Sequence, residues 1–151
     1  MMIQEKLKNL LNEKKALIIC LGNELREDDG VGPYICDKLN CKNTVSVDVP
    51  ENLNNKAFSF QPDVIVIIDS VDFGASPGSI LITEGISDKT SISIHKLPIR
   101  LIFDAVGLKA EKIFLIGIQP KSLNFGEQLS EEVKNSADFL IEQIKEQFSC
   151  L

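Results

Sequence analysis

The chain reads as an α/β protein: a three-layer sandwich, with a mixed, mostly parallel sheet of about five strands and helices on both faces. Two observations predict this. Short apolar, β-branched runs alternate with segments of helical periodicity, the pattern of a mostly parallel sheet covered by helices. One join between predicted strands, residues 71–78, has only about eight residues. A parallel crossover takes a dozen or more, so if those two strands are neighbours they run antiparallel.

The elements follow in order. Ile3, Leu7, Leu10 and Leu11 recur at helical spacing and predict a short amphipathic helix over 3–13. Ala16 to Leu21 is apolar throughout, as a strand buried on both faces would be. Val31 to Leu39 predicts a helix, with Pro33 in the first turn, where a missing N–H costs little. Thr44 to Val49 predicts a strand and Leu53 to Phe60 a short helix. "DVIVIIDS" at 63–70 is the clearest strand, and Ser79 to Thr83 follows a glycine-rich turn. Residues 84–94 read as a polar loop, and Leu97 to Val106 as a helix entered through Pro98. "KIFLIGI" at 112–118 is another strand. Leu129, Val133, Ala137, Leu140, Ile141, Ile144 and Phe148 mark a long closing helix, with Ser130 placed to cap it.

Length and charge narrow the function. The 151 residues suit one domain, 1–151, with a core that needs no covalent staples. A formal net charge of −6 disfavours nucleic acid or an anionic membrane surface as partner. No apolar run approaches the roughly 20 residues that span a bilayer. The charged start "MMIQEKLKNLLNEKK" has no signal-peptide core, so a cytoplasmic protein is expected. In that compartment Cys20, Cys36, Cys41 and Cys150 are expected as reduced thiols, with Cys20 buried in its strand. A zinc site on Cys36 and Cys41 would lack a second ligand pair.

Open α/β sheets bind ligands beyond the carboxyl ends of their strands, where strand order reverses. Asp28 and Asp29 follow the first predicted strand, Asp69 ends the third, and His95 is the only histidine. Each taken singly has an ordinary explanation. Asp28 or Asp29 suits the N-cap of the helix near Val31, Asp69 suits a strand-end turn, and a lone histidine needs no special duty. Taken together, two carboxylates and an imidazole at one sheet edge suit a divalent cation with positions left open for water or substrate. A phosphate loop fits poorly. Gly22, Gly30 and Gly32 do not have dinucleotide-loop spacing, and Glu24, Glu27, Asp28 and Asp29 would oppose an anion.

Several separated motifs point further. "GNELREDDGVG" at 22–32 is similar to the pattern G-N-x-L-x-x-D-D/E-x-x-G. "PEN" at 50–52, "IDSVDFGASPGSI" at 68–80, "IHKLPI" at 94–99 and "IFLIGIQP" at 113–120 follow in order. On these the chain resembles the hydrogenase maturation endopeptidases, which trim the large subunit of nickel–iron hydrogenases. It is most similar to the branch that serves hydrogenase 3 and the energy-converting enzymes. The resemblance implies a mostly five-stranded sheet between helices. It implies that Asp29, Asp69 and His95 form both the metal-binding and the catalytic set. It implies nickel, presented by the substrate, as the ion, though zinc or cadmium can occupy such a site. The implied partner is the large-subunit precursor, met by a monomer that inserts into no membrane. Cleavage would run through a metal-polarised carbonyl or water, or through a carboxylate general base, with an aspartic-protease-like dyad as a weaker form of the latter. A non-catalytic nickel-binding or docking module for the precursor would use the same three ligands.

Overall fold

Two strands at the centre of the sheet are apolar on both faces, and the rest of the architecture is arranged around them. The computed structural model describes residues 3–11, 15–48, 61–84, 110 and 112–147. The strands are β1 (Ala16–Leu21), β2 (Thr44–Val47), β3 (Val64–Ser70), β4 (Ile80–Glu84) and β5 (Lys112–Ile118). The helices among these residues are α1 (Ile3–Leu11), α2 (Val31–Leu39) and α3 (Glu131–Gln147). The sheet order is β2-β1-β3-β5-β4. All pairings are parallel except β4 with β5. The short join does not make β3 and β4 neighbours. β5 lies between them, and β4 reverses direction against β5, with Ile82 opposite Ile116.

Strand alternation divides the core in two. Ile18, Val66, Ile68 and Ile116 face the side on which α1, α2 and α3 pack. Leu17, Ile19, Ile65, Ile67 and Leu115 face the opposite side and are equally buried. In α3, Val133, Ala137, Leu140, Ile141 and Ile144 form one apolar stripe against the first side. Each fully buried Leu or Ile contributes about 1.5–3 kcal/mol relative to exposure. The helices expected at 53–60 and 97–106 and the loop expected at 85–94 lie outside the described residues. No helix among the described residues is long and apolar enough to cross a membrane.

The cysteines depart from expectation. Cys20 is buried in β1, as predicted, but it forms a disulfide with Cys36 of α2, the two Cα atoms lying 6.1 Å apart. Cys41 is disulfide-bonded as well, and none of the described cysteines is free. A zinc site on Cys36 and Cys41 is therefore excluded in this state. The reason was invisible in the spacing. Helix α2 folds back onto the strand that precedes it, and this brings Cys36 over Cys20 in the same core cluster.

Strand order reverses between β1 and β3. The chain leaves β1 towards β2 on one side and returns through β3 on the other. The loops that follow these two strands therefore flank the crevice where open α/β sheets bind ligands.

Candidate active site

The turn after β1 is built around two glycines. A side chain on Gly22 would place its Cβ 2.0 Å from the carbonyl oxygen of Asp29, so only glycine lets the two ends of the turn close on each other. A Cβ on Gly32 would lie 2.3 Å from the Leu21 carbonyl oxygen and 3.1 Å from that of Ile68. The start of α2 thus rests directly on the ends of β1 and β3. Within the turn, Asn23 accepts a hydrogen bond from Leu25 N through its side chain at 2.9 Å. Residues 27–30 form one 3₁₀ turn, and Glu27 holds an uncommon positive φ of 46°.

The two adjacent acids of the turn have different fates. Neither caps α2, whose N-cap residue is Gly30, with no side-chain capping bond. Asp28 is fully buried. Its carboxylate accepts hydrogen bonds from Lys121 N at 2.8 Å, Ser122 N at 3.2 Å, Ser130 N at 2.7 Å and Ser130 Oγ at 2.9 Å. It is a clamp that fixes the acidic turn to the segment between β5 and α3. Ser130 stands immediately before α3, as expected of a cap, and its hydroxyl donates to Asp28.

Asp29 is half-buried and turns the other way. Its Oδ1 accepts from Ser70 Oγ at 2.9 Å and its Oδ2 from Asn23 N at 3.0 Å. Ser70 is the last residue of β3 and the neighbour of Asp69. One hydrogen bond therefore ties Asp29 to the strand end that carries Asp69, which is 1% exposed and lies opposite Gly117 of β5. A carboxylate has about four acceptor directions. Asp29 uses two in the contacts above, which leaves capacity on both oxygens for a cation or a proton. Its donor chemistry fits a divalent ion. His95 lies outside the described residues, and the other two predicted site residues are linked along the chain through Ser70, which bonds Asp29 and follows Asp69 in β3. Among the described residues no three histidine, cysteine or acidic side chains gather to hold an ion.

Sequence reasoning passed over Gln119. This residue is 7% exposed at the end of β5. Its Oε1 accepts from Phe73 N at 2.8 Å and Ala75 N at 3.2 Å, and its Nε2 donates to Asp72 Oδ1 at 3.1 Å. It shapes the loop that follows Asp69. The bond from Gln119, with a second from Gly74 N, holds the exposed Asp72 carboxyl below its ordinary range. The signal available was an amide following a buried strand, in the segment "IFLIGIQP". Farther out, an open groove of about 600 Å³ runs along the carboxyl ends of β1 and β2, past Gly22, Asn23, Ser46 and Asp48.

The acidic turn and the strand-end carboxylate Asp69 thus lie at the switch point of an open α/β sheet, where proteins of this class bind their ligands. Comparison with known proteins then gives the family. A sequence model of the hydrogenase maturation protease family, HycI, matches residues 49–147. A putative hydrogenase maturation protease of Methanocaldococcus jannaschii is 35% identical, with 96% of this chain and 93% of that protein covered. The hydrogenase 3 maturation protease of Escherichia coli K12 is 25% identical, over 85% of this chain and 88% of that protein. The crystal structure of the nickel–iron hydrogenase maturation protease HycI from Thermococcus kodakarensis superposes with a TM-score of 0.78 at 29% identity, covering 94% of this chain and 97% of that one. The chain belongs to the hydrogenase maturation protease family and is a peptidase of hydrogenase maturation.

Proposed function

We propose that the protein is an endopeptidase that removes a C-terminal peptide from the nickel-loaded precursor of a nickel–iron hydrogenase large subunit, and that it reads the nickel as its licence to cut. The observation that carries this reading is the hydrogen bond from Ser70 to Asp29, which couples the acidic turn to the strand end bearing Asp69. In this reading Asp29, Asp69 and His95 form an open ligand set. Nickel belongs to the substrate and is shared between that set and the precursor's thiolates, which bind late first-row metals well. The ion supplies a Lewis acid beside the scissile carbonyl. A carboxylate of the pair takes the proton of the attacking water, and the open groove beside Gly22 and Ser46 receives the peptide.

An ion that bridges enzyme and precursor adds binding that a metal-free precursor lacks, and about 1.4 kcal/mol already makes a tenfold difference in affinity. The test is purified precursor, prepared with and without nickel, incubated with the protein and weighed by mass spectrometry. Shortening of the nickel-loaded form alone is expected. Equal cleavage of both forms would remove the licensing role, and cleavage of neither would remove this precursor as substrate.

A further inference from the structure

Three large apolar side chains among the described residues are exposed: Leu25 at 58%, Leu123 at 40% and Phe125 at 90%. They are not scattered. Leu25 lies in the acidic turn, while Leu123 and Phe125 lie in the segment between β5 and α3. The two segments are joined by backbone pairing. Gly126 N donates to Leu25 O at 2.9 Å, Glu27 N donates to Gly126 O at 2.7 Å, and Arg26 Nε donates to Leu123 O at 3.2 Å. The Asp28 clamp fixes the same two segments from inside the protein. The apolar side chains are therefore displayed by braced backbone, Leu25 on the turn that carries Asp29 and Leu123 and Phe125 on the segment paired with it. A phenylalanine left almost wholly in water gains nothing for the fold, and clustered exposed apolar groups with a polar rim mark interaction surfaces.

The rim specifies the partner. Beside Leu25 a cavity of about 380 Å³ is lined by Glu24, Glu27, Asp37 and Glu127, together with Tyr34 and Leu129. Arg26 is the cation of the turn, and its Nε is committed to Leu123 O. A second copy of the chain would bring the same carboxylates against these, at a net charge of −6 each, so self-association is disfavoured.

We infer that Leu25, Leu123 and Phe125, with the acidic cavity beside them, form the docking surface for a lysine- or arginine-bearing apolar segment of the large-subunit precursor. This rests on the reading of the precursor as substrate. The surface adjoins the turn of Asp29, so a segment seated there holds the adjoining chain near the site. Its aromatic anchor supplies affinity, and its carboxylate rim supplies orientation and rate of encounter.

The test uses the full chain and nickel-loaded precursor, with binding followed by interferometry and cutting followed by mass spectrometry. The Leu123→Ser/Phe125→Ser variant changes only exposed side chains and should keep the wild-type circular dichroism and melting temperature. Its Kd for precursor should rise by at least roughly tenfold, with KM rising in parallel and kcat unchanged. Glu127→Lys should weaken binding about threefold at low salt, a difference that vanishes near 0.5 M salt as screening sets in. A double variant that binds as tightly as wild type overturns the docking surface, even while the protein still cuts. Wild-type protein that binds no precursor overturns it too, as does a double variant whose only change is weaker self-association in sedimentation. Precursor bound more weakly by the variant yet cut by neither protein keeps the surface and removes the protease reading.

Discussion

The loops that follow β1 and β3 stand side by side at the carboxyl edge of the sheet, and they are fastened in opposite ways. The first is held by a buried charge: Asp28 accepts four hydrogen bonds from the 121–130 segment. The second is held by a neutral amide, Gln119, which both accepts and donates. A covalent bond, Cys20–Cys36, also braces the first, joining the strand before it to the helix after it. The loop after β3 has no such disulfide within it. Hydrogen bonds to an ionised acceptor are roughly twice as strong as neutral ones. The stronger fastening therefore falls on the turn that holds Asp29, one of the proposed ligands.

The largest expected effect separates the two neighbouring acids of that turn. Asp28→Ala leaves three part-buried backbone N–H groups and a hydroxyl without their acceptor, and should cost about 4 kcal/mol. Unfolding in urea measures this, and cutting should fall with it because Asp29 loses its support. Asp29→Ala removes two half-exposed bonds and should cost about 1 kcal/mol or less, yet abolish cutting. If Asp28→Ala melted like wild type, the clamp would carry no weight. An Asp29→Ala enzyme at full activity would remove Asp29 from the site.

The covalent brace comes next. The disulfide closes a loop with a sequence separation of 16 residues. On the loop-closure estimate that is worth about 3 kcal/mol. The Cys20→Ala/Cys36→Ala variant should lose about that much in urea unfolding. Its amide exchange should speed up across residues 22–30 and stay unchanged across 71–79. Equal acceleration in both loops would mean that the bond stabilises the sheet as a whole and not the acidic turn in particular.

Much of this was legible in the chain, and the remainder was hidden for identifiable reasons. The strand at 16–21, the helix at 31–39 and the strand at 112–118 were readable to the residue, because each is a local pattern with its own punctuation. One strand running against the others was expected, but the short connection argued for it only if the strands at 63–70 and 79–83 were neighbours, and they are not. The slot beside β3 is taken by β5, which arrives about thirty residues later in the chain. The pair Asp28-Asp29 marked the candidate site, but the two residues have the same side chain in sequence. Only the placement of residues 121–130 turns one inward as a clamp and leaves the other facing Ser70. The disulfide was hidden likewise, since it depends on how α2 folds back over β1.

The smallest effects belong to the loop after β3, and they test whether its fastening is neutral. Gln119→Met keeps the volume and removes both ends of the amide. It should cost about 1–2 kcal/mol, mainly from the stranded N–H groups of Phe73 and Ala75, whose exchange should accelerate. The same change should act on Asp72. In the folded protein that carboxyl lies below its ordinary value of 3.8, first because Gln119 donates to it and then because Gly74 N does. A depressed folded pKa means that the stabilisation is present above the unfolded value and is lost as pH falls through the lower folded one. Asp72 is exposed to solvent, so the consequence for global stability is slight, and the shift itself is the quantity to measure. Carboxyl carbon shifts followed by NMR from pH 2 to 6 should show wild-type Asp72 titrating below 3.8, and Gln119→Met moving it upward. The Asp28→Ala variant should leave this titration where it was, because the two loops are fastened by separate groups. An Asp72 titration that moved with Asp28 and not with Gln119 would join the two loops into one network and end the contrast between them.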